Sequence, residues 1–297
     1  MKTSHITVLL NEAIEYLKVE KNCWYVDTTF GGGGHTEQIL KRGGKVIAFD
    51  FDQNAIKAGE ERFKNEIESN QLVLVNKNFT ELEETLNSLK KEHSIDEISG
   101  ILFDFGTSTD QLMNTDRGFS FLGEGELDMR MDQTLGVKAK DLLTLLSEKQ
   151  LMEIFFQHGG ESEAKKIAKA IVSNRKNGVY IKTNKDLAQL VESVKKSRNK
   201  THPATKVFQA LRIVVNDELN NIETSLPQAF NSLKKGGRLI TISFHEGEDR
   251  IAKTTFKTWQ EENLATLITK KPVVPTDEAI KENPRCRSAK MRIIEKT

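Results

Sequence analysis

The chain has 297 residues, and 44 lysines and arginines against 43 aspartates and glutamates leave a formal net charge of +1. Bulk charge therefore makes no case for nucleic-acid binding, which has to be argued from local patches. With 37% hydrophobic residues and a mean hydropathy of −0.49, the composition supports a packed core and excludes a disordered tail.

Cys23 and Cys286 form no CxxC pair, which excludes a disulfide framework and a cysteine zinc knuckle and points to a reducing, cytoplasmic compartment. No apolar run approaches the ~20 residues of a spanning helix, so neither membrane insertion nor secretion is expected. The length suits either two domains or one large α/β domain carrying an insertion.

In chain order, residues 24–50 read as a strand (WYVD), a glycine loop (TTFGGGG), a short helix (HTEQILKRGG) and a second strand (KVIAFD), which is a βαβ unit. The rhythm repeats with a helix near Asn54–Phe63, a strand at 71–75, a helix near Glu81–Lys91 and the apolar strand ISGILFD ending at Asp104. Strands alternating with helices predict a parallel sheet. After Asp104 the rhythm stops for about a hundred residues of loop and helical pattern. It resumes with an amphipathic helix from Ala204, whose stripe is Phe208, Leu211, Val215 and Leu219, and the strand GRLITIS at 237–243. The expected architecture is an α/β core of residues 1–111 and 204–297, interrupted by an all-helical domain at 112–203.

Charge is segregated along the chain. Residues 51–100 hold 11 acidic and 6 basic side chains, whereas residues 161–200 hold 11 basic and 4 acidic. A basic helical surface is either a solvated face or a polyanion footprint.

Gly31 to Gly34, between a strand and a helix, let the backbone approach a ligand beside unpaired helix N–H groups. A Walker A loop requires Gly-Lys-Ser/Thr, and Gly34-His35-Thr36 excludes it. A dinucleotide fingerprint lacks its third glycine, because position 36 is Thr36. S-adenosylmethionine needs a carboxylate at the end of the second strand for its ribose hydroxyls. Asp50 stands there, while Asp27 could meet the methionine amine; Asp50 and Asp52 could equally be helix caps. Phe79 could lie against adenine or be core. Asp104, a carboxylate closing an apolar strand, needs partners. The six histidines show no HxxxH or HExxH spacing, so no metal site is expected.

A longer set of motifs then carries a resemblance. HITVLL at 5–10, DTTFGGGGH at 27–35 and RGFSF at 117–121 with LDMRMD at 127–132 are followed by HPAT at 202–205, FQALR at 208–212 and VNDEL at 215–219. GGRL at 236–239 comes with ISFH at 242–245 and EDR at 248–250, and NPR at 283–285 with RSAK at 287–290. The chain resembles the small-subunit rRNA (cytosine-N4) methyltransferase family almost end to end. The resemblance implies a Rossmann-like S-adenosylmethionine-dependent core with an inserted helical substrate-recognition domain. It also implies methylation of N4 of a cytidine in the decoding centre of 16S rRNA, the family target being C1402, within the small ribosomal subunit, and a homodimer. Cofactor contacts are implied for Gly33, Gly34, His35, Asp50, Phe79, Asp104 and Gln111. The sequence departs from the family pattern at Thr109-Asp110, where serine and proline are usual, at Glu246-Gly247, where serine and leucine are usual, and at Cys286, which replaces a serine. A carboxylate at Glu246 would raise the His245 imidazole pKa if the two side chains met.

Methylating the conjugated, weakly nucleophilic cytosine amine asks for in-line positioning and an acceptor for the departing proton. Asp104 and Ser108 are the candidate acceptors, and His245 is a candidate proton path or base contact. An extruded cytidine asks for backbone clamps, for which Arg130, Arg212, Arg285 and Arg287 are suited; Asn216 and Asp217 are candidates for a base edge. Internal salt bridges and caps compete for each of these. Two rivals remain at this stage: a methyltransferase acting on a small molecule or protein, and a non-catalytic RNA-binding factor that keeps the fold.

Overall fold

The computed structural model describes residues 7–93, 95–106, 118–121, 124–195 and 202–297. The chain divides into two compact units, Met1–Gly106 with Leu219–Thr297, and Thr107–Glu218.

The first unit is built on a seven-stranded sheet of order β3-β2-β1-β4-β5-β7-β6. Its strands are β1 Trp24–Asp27, β2 Lys45–Phe49, β3 Leu72–Val75, β4 Ile98–Asp104, β5 Leu233–Ser243, β6 Ala265–Leu267 and β7 Lys290–Lys296. The first five pair in parallel, and β7 runs antiparallel between β5 and β6. The parallel strands read as uninterrupted apolar runs because both faces are covered. One face packs Val26, Ile47, Phe103, Leu239 and Ile294 with Leu86, Leu226 and Phe256. The other packs Tyr25, Val46, Leu102, Ile240 and Ile293 with Ile14, Leu17 and Ile39. Strand order reverses at β1, so the connections leaving the carboxyl ends of β1 and β4 part there, the position at which such sheets hold ligands.

The second unit is helical among the described residues: Ala139–Leu145, Glu148–Gln157, Ala164–Lys176, Asn184–Val194 and Thr205–Val215. Ser147 with Gln150, and Thr183 with Asp186, form reciprocal capping boxes that start two of these helices. Leu151, Phe155, Ile167, Ile171, Leu187, Val191, Val207 and Leu211 are buried. No described helix is long and apolar enough to cross a membrane.

Two features differ from the sequence expectation. The helix expected to run from Ala204 past Leu219 stops at Val215, and Asp217 takes φ +50 before a new helix, Glu218–Ser232, begins. The Asn-Asp pair at 216–217 is a turn signal that the apolar stripe obscured. Consequently Thr205–Val215 falls in the helical unit, packed on Ala139–Leu145 and Glu148–Gln157, and the chain returns to the sheet unit at 219 rather than 204.

Candidate active site

Asp27 is the last residue of β1, and its carboxylate is 1% exposed. Oδ1 accepts from the Thr29 N–H at 3.2 Å and Oδ2 from the Thr36 hydroxyl at 2.8 Å. Burial raises its pKa, against the hydrogen bonds from Thr36 and Thr29. Asp27 therefore ties together the two ends of the glycine loop.

Within that loop, Gly33 has φ +73, and a Cβ there would press on the Phe63 and Phe30 rings at 2.8 and 2.9 Å. At Gly34 a Cβ would meet Thr7 Oγ1 at 1.9 Å. Both positions are thus glycine because the protein itself crowds them. Gly31 is open, and its N–H donates to Asp50 Oδ2 at 2.8 Å. Arg62 holds the loop from outside, donating to the Gly32 carbonyl at 2.6 Å and to Glu37 at 2.7 Å.

Asp50 lies just beyond β2. Its Oδ1 accepts from the Asp52 N–H at 2.8 Å, so each oxygen carries one backbone donor and keeps capacity for another. Burial pushes its pKa up to about 6, against the two backbone hydrogen bonds, with the charges of Asp52 and Asp27 adding to the rise. Asp52 is the helix cap, accepting from Asn54 N at 3.0 Å, so the capping role belongs to the neighbour and not to Asp50.

Asp104 ends β4 with about a fifth of its side chain exposed (21%). Its Oδ1 is buried and meets no hydrogen-bond partner among the described residues, while Oδ2 stands 3.9 Å from Nδ1 of the buried His35. Burial holds its pKa well above the usual carboxylate range, and the charges of Asp27 and Glu248 add to this. Phe79, half-buried in a 3₁₀ turn after β3, packs edge-on to Phe103 at 5.6 Å and near Phe105 at 6.4 Å. The fold thus gathers Gly33, Gly34, His35, Asp50, Phe79 and Asp104 around the carboxyl ends of β1, β2, β3 and β4. Ser108 and Gln111 lie outside the described residues.

His245, the candidate proton path or base contact, stands at a helix start. It caps the helix Glu246–Glu261, with Nδ1 accepting from Gly247 N at 3.2 Å and Glu248 N at 3.4 Å and Nε2 3.2 Å from Glu248 Oε1. Its Nδ1 is thus engaged at the helix start, with Glu248 beside Nε2. Glu246, the unusual carboxylate, is exposed; Glu248 is the carboxylate that reaches the imidazole.

Three of the six expected RNA contacts, Arg130, Arg212 and Asn216, are bonded within the protein, and the other three are exposed. Arg130 donates to both oxygens of Asp128 and to the carbonyls of Gln133 and Leu135. Arg212 grips Glu218 with two bonds of 2.8 Å. Asn216 accepts from Met131 N at 2.6 Å and donates to the Met129 and Arg212 carbonyls at 2.8 Å, so its amide shapes the 127–132 loop. Asp217 sits exposed in the turn between two helices. Arg285 and Arg287 stand exposed on the 3₁₀ segment Pro284–Ser288, where Arg287 has no ion pair among the described residues.

Comparison with known proteins identifies the family. The MraW methylase family matches residues 2–297. The chain belongs to that family. It is 46% identical over 294 residues to the ribosomal RNA small subunit methyltransferase H of Sulfurihydrogenibium sp. (strain YO3AOP1), covering 97% of this chain and 98% of the relative. Among solved structures, an rRNA methylase from Streptococcus thermophilus aligns with TM-score 0.45 at 12% identity over 99% of each chain. A SAM-dependent O-methyltransferase from Thermotoga maritima aligns with TM-score 0.43 at 10% identity, covering 100% of this chain and 68% of the other. The residues around the loop that the sequence did not single out are Thr29, Thr36 and Arg62, which touch the loop or Asp104 through hydrogen bonds. Only the Thr-Thr pair following Asp27 offered a signal.

Proposed function

We propose that this protein transfers a methyl group from S-adenosyl-L-methionine to the exocyclic N4 of a cytidine in the decoding centre of 16S rRNA, the family's C1402, acting on the small ribosomal subunit in the cytoplasm. Its helical unit serves in recognition of that substrate. Membership of a methylase family and the near full-length relative support an rRNA substrate.

The observation that carries the reading is the buried Asp104 Oδ1, an acceptor with no donor among the described residues, at the point where the connections leaving β1 and β4 part. A buried lone pair without a donor is costly unless a ligand or water fills it. The donor set also fits the cofactor. Asp50 keeps one acceptor site on each oxygen for vicinal ribose hydroxyls, and the Phe79 ring, backed by Phe103 and Phe105, offers an apolar edge for a purine. When bound, the cofactor supplies an electrophilic sulfonium methyl.

The chain's own contribution is positioning and proton handling. Asp104 accepts a hydrogen bond from the cytosine amine, which favours a pyramidal nitrogen, and then takes its proton. A carboxylate whose proton affinity burial has raised suits that task, because it holds the proton it receives.

Substrate affinity is carried in part by the helix Ala164–Lys176. Lys165, Lys169 and Lys176 recur at i, i+4 and i+11, which puts them on one face. All three are exposed and without ion pairs among the described residues, whereas Lys166 is spent on Glu163 at 2.6 Å. Their separations along the axis, about 6 and about 10 Å, suit the tracking of phosphates.

The test supplies labelled S-adenosylmethionine and undermethylated 30S particles, with nucleosides read by mass spectrometry. N4-methylcytidine is expected. Label in a protein or metabolite would favour a different methyl acceptor, and no label at all would favour a non-catalytic RNA-binding factor.

A further inference from the structure

The seam between β1 and β4 is closed by a side chain. β1 and β4 pair in register from Trp24↔Ile98 to Asp27↔Leu102, and the Thr28 N–H then donates to the Leu102 carbonyl at 2.9 Å. Continued by one step, a parallel ladder would have the Asp104 N–H donate to the carbonyl of Thr28. It donates instead to the hydroxyl of Thr29, Oγ1, at 2.8 Å.

That hydroxyl is itself held in place. The Thr29 N–H is fixed on Asp27 Oδ1, and the other Asp27 oxygen takes the Thr36 hydroxyl at the start of the helix Gly34–Lys41. One buried carboxylate thereby sets the loop, the loop sets Thr29, and Thr29 receives the amide of Asp104, whose own Oδ1 has no partner among the described residues. Valine would match threonine in shape but offer the Asp104 amide no acceptor, and serine would keep the acceptor.

We propose that Thr29 is a positioning residue for methyl transfer: its hydroxyl takes the place of a main-chain carbonyl as acceptor for the Asp104 amide, and so fixes where the Asp104 carboxylate stands. The proposal rests on the reading of Asp104 as the group that receives the amine proton. The effect acts through Asp104 alone, since Gly31, Asp50 and Phe79 have no hydrogen bond to Thr29 among the described residues. Turnover should therefore suffer more than cofactor affinity.

The experiment compares the full-length wild type with Thr29→Val and Thr29→Ser by three measurements. Amide hydrogen exchange at Asp104 is followed without ligand, S-adenosylhomocysteine affinity by calorimetry, and the rate of a single methyl-transfer turnover on 30S particles with saturating S-adenosylmethionine. Thr29→Val is expected to speed Asp104 exchange about fivefold, the worth of one net hydrogen bond. It should leave S-adenosylhomocysteine affinity within about twofold and slow the turnover at least about tenfold, as misplacement of a reacting group does. Thr29→Ser should restore both exchange and rate. If Thr29→Val does not fold, Thr29→Ala removes the acceptor without added bulk and carries the same comparison.

Unchanged Asp104 exchange, or wild-type turnover in the valine variant, overturns the proposal. So does a serine variant as impaired as the valine one with an equal loss of ligand affinity, because that pattern means packing. Were the wild type to make no N4-methylcytidine, the functional reading would fail, while the exchange data would still decide whether Thr29 holds the Asp104 amide.

Discussion

The rim of the sheet and the 127–132 loop of the helical unit both carry charged side chains in motif positions, yet their electrostatic states are opposite. At the rim, Asp104 keeps a buried oxygen that meets no donor among the described residues, and the pKa of Asp50 has risen to about 6. In the helical unit, Arg130 holds its pKa above the usual guanidinium value through its hydrogen bonds to Asp128, and Arg212 and Asn216 are committed to neighbours. Both sets would look equally functional in a motif. The physical difference is whether a group's hydrogen-bonding capacity is already spent, and that is a property of the fold.

The largest effect expected from this contrast is at Asp104. Asp104→Asn keeps the shape but removes the proton acceptor, and should lower the methylation rate about 10²- to 10⁴-fold. S-adenosylhomocysteine binding, followed by calorimetry, should persist. Full turnover with normal binding would sink the acceptor role.

A second effect sharpens the contrast inside the helical unit by separating spent from unspent cations. Charge reversal at Lys165, Lys169 and Lys176 together should flatten the dependence of log affinity for 30S particles on log salt by about 2 to 3 units, at roughly 0.7 to 0.9 per phosphate contact. Lys166→Glu alone, with its ammonium already on Glu163, should change the slope little. A salt response unaffected by the triple reversal would return this face to solvent.

At Asn216 the expectation is a loss of stability, not of recognition. Asn216→Ala leaves the buried Met131 N–H and Met129 carbonyl without their partner, and should cost about 1–3 kcal/mol in urea unfolding. The salt slope for 30S binding should stay at its wild-type value. A variant as stable as wild type that bound RNA more weakly would move Asn216 to the substrate side of the comparison.

The parallel sheet, the glycine loop and the carboxylates at strand ends were legible because each is a local pattern: an apolar run, a turn composition, a terminal charge. The antiparallel β7 and short β6 were not, since Lys290–Lys296 mixes charged and apolar residues without a clean alternation and pairs with β5 some fifty residues earlier in the chain. The roles of Arg212 and Asn216 were hidden for a related reason. The partners that use up Asn216 are 85 and 87 positions away, on the 127–132 loop, and the helix break that brings Glu218 back to Arg212 lies beneath a continuous apolar stripe. His245 illustrates the reverse case: its cap and its carboxylate partner lie within three residues, and the Glu248 spacing could have been read as a capping box.

The smallest effect, and the one that tests the rim most directly, is in pH. The ordinary carboxylate value of Asp50 is 3.8, and burial raises it to about 6, so in the free protein the protonated form is favoured by folding. That contribution to stability is complete below the unfolded pKa of 3.8 and is lost as pH rises through about 6. Ligand binding has the opposite sign, because ribose hydroxyls donate to the ionised carboxylate. S-adenosylhomocysteine affinity should therefore be steady above about pH 7 and weaken by about tenfold at pH 5, where most of the free protein must first lose the Asp50 proton. Asp50→Asn should bind weakly and lose that part of the slope, with any remaining pH dependence belonging to Asp104, whose pKa is raised by burial and by the charges of Asp27 and Glu248. Calorimetric titrations between pH 5 and 8 decide the matter. A wild-type affinity that stayed flat across that range would mean that the Asp50 carboxylate is satisfied by Gly31 and Asp52 alone, and the rim would then resemble the helical unit it is contrasted with.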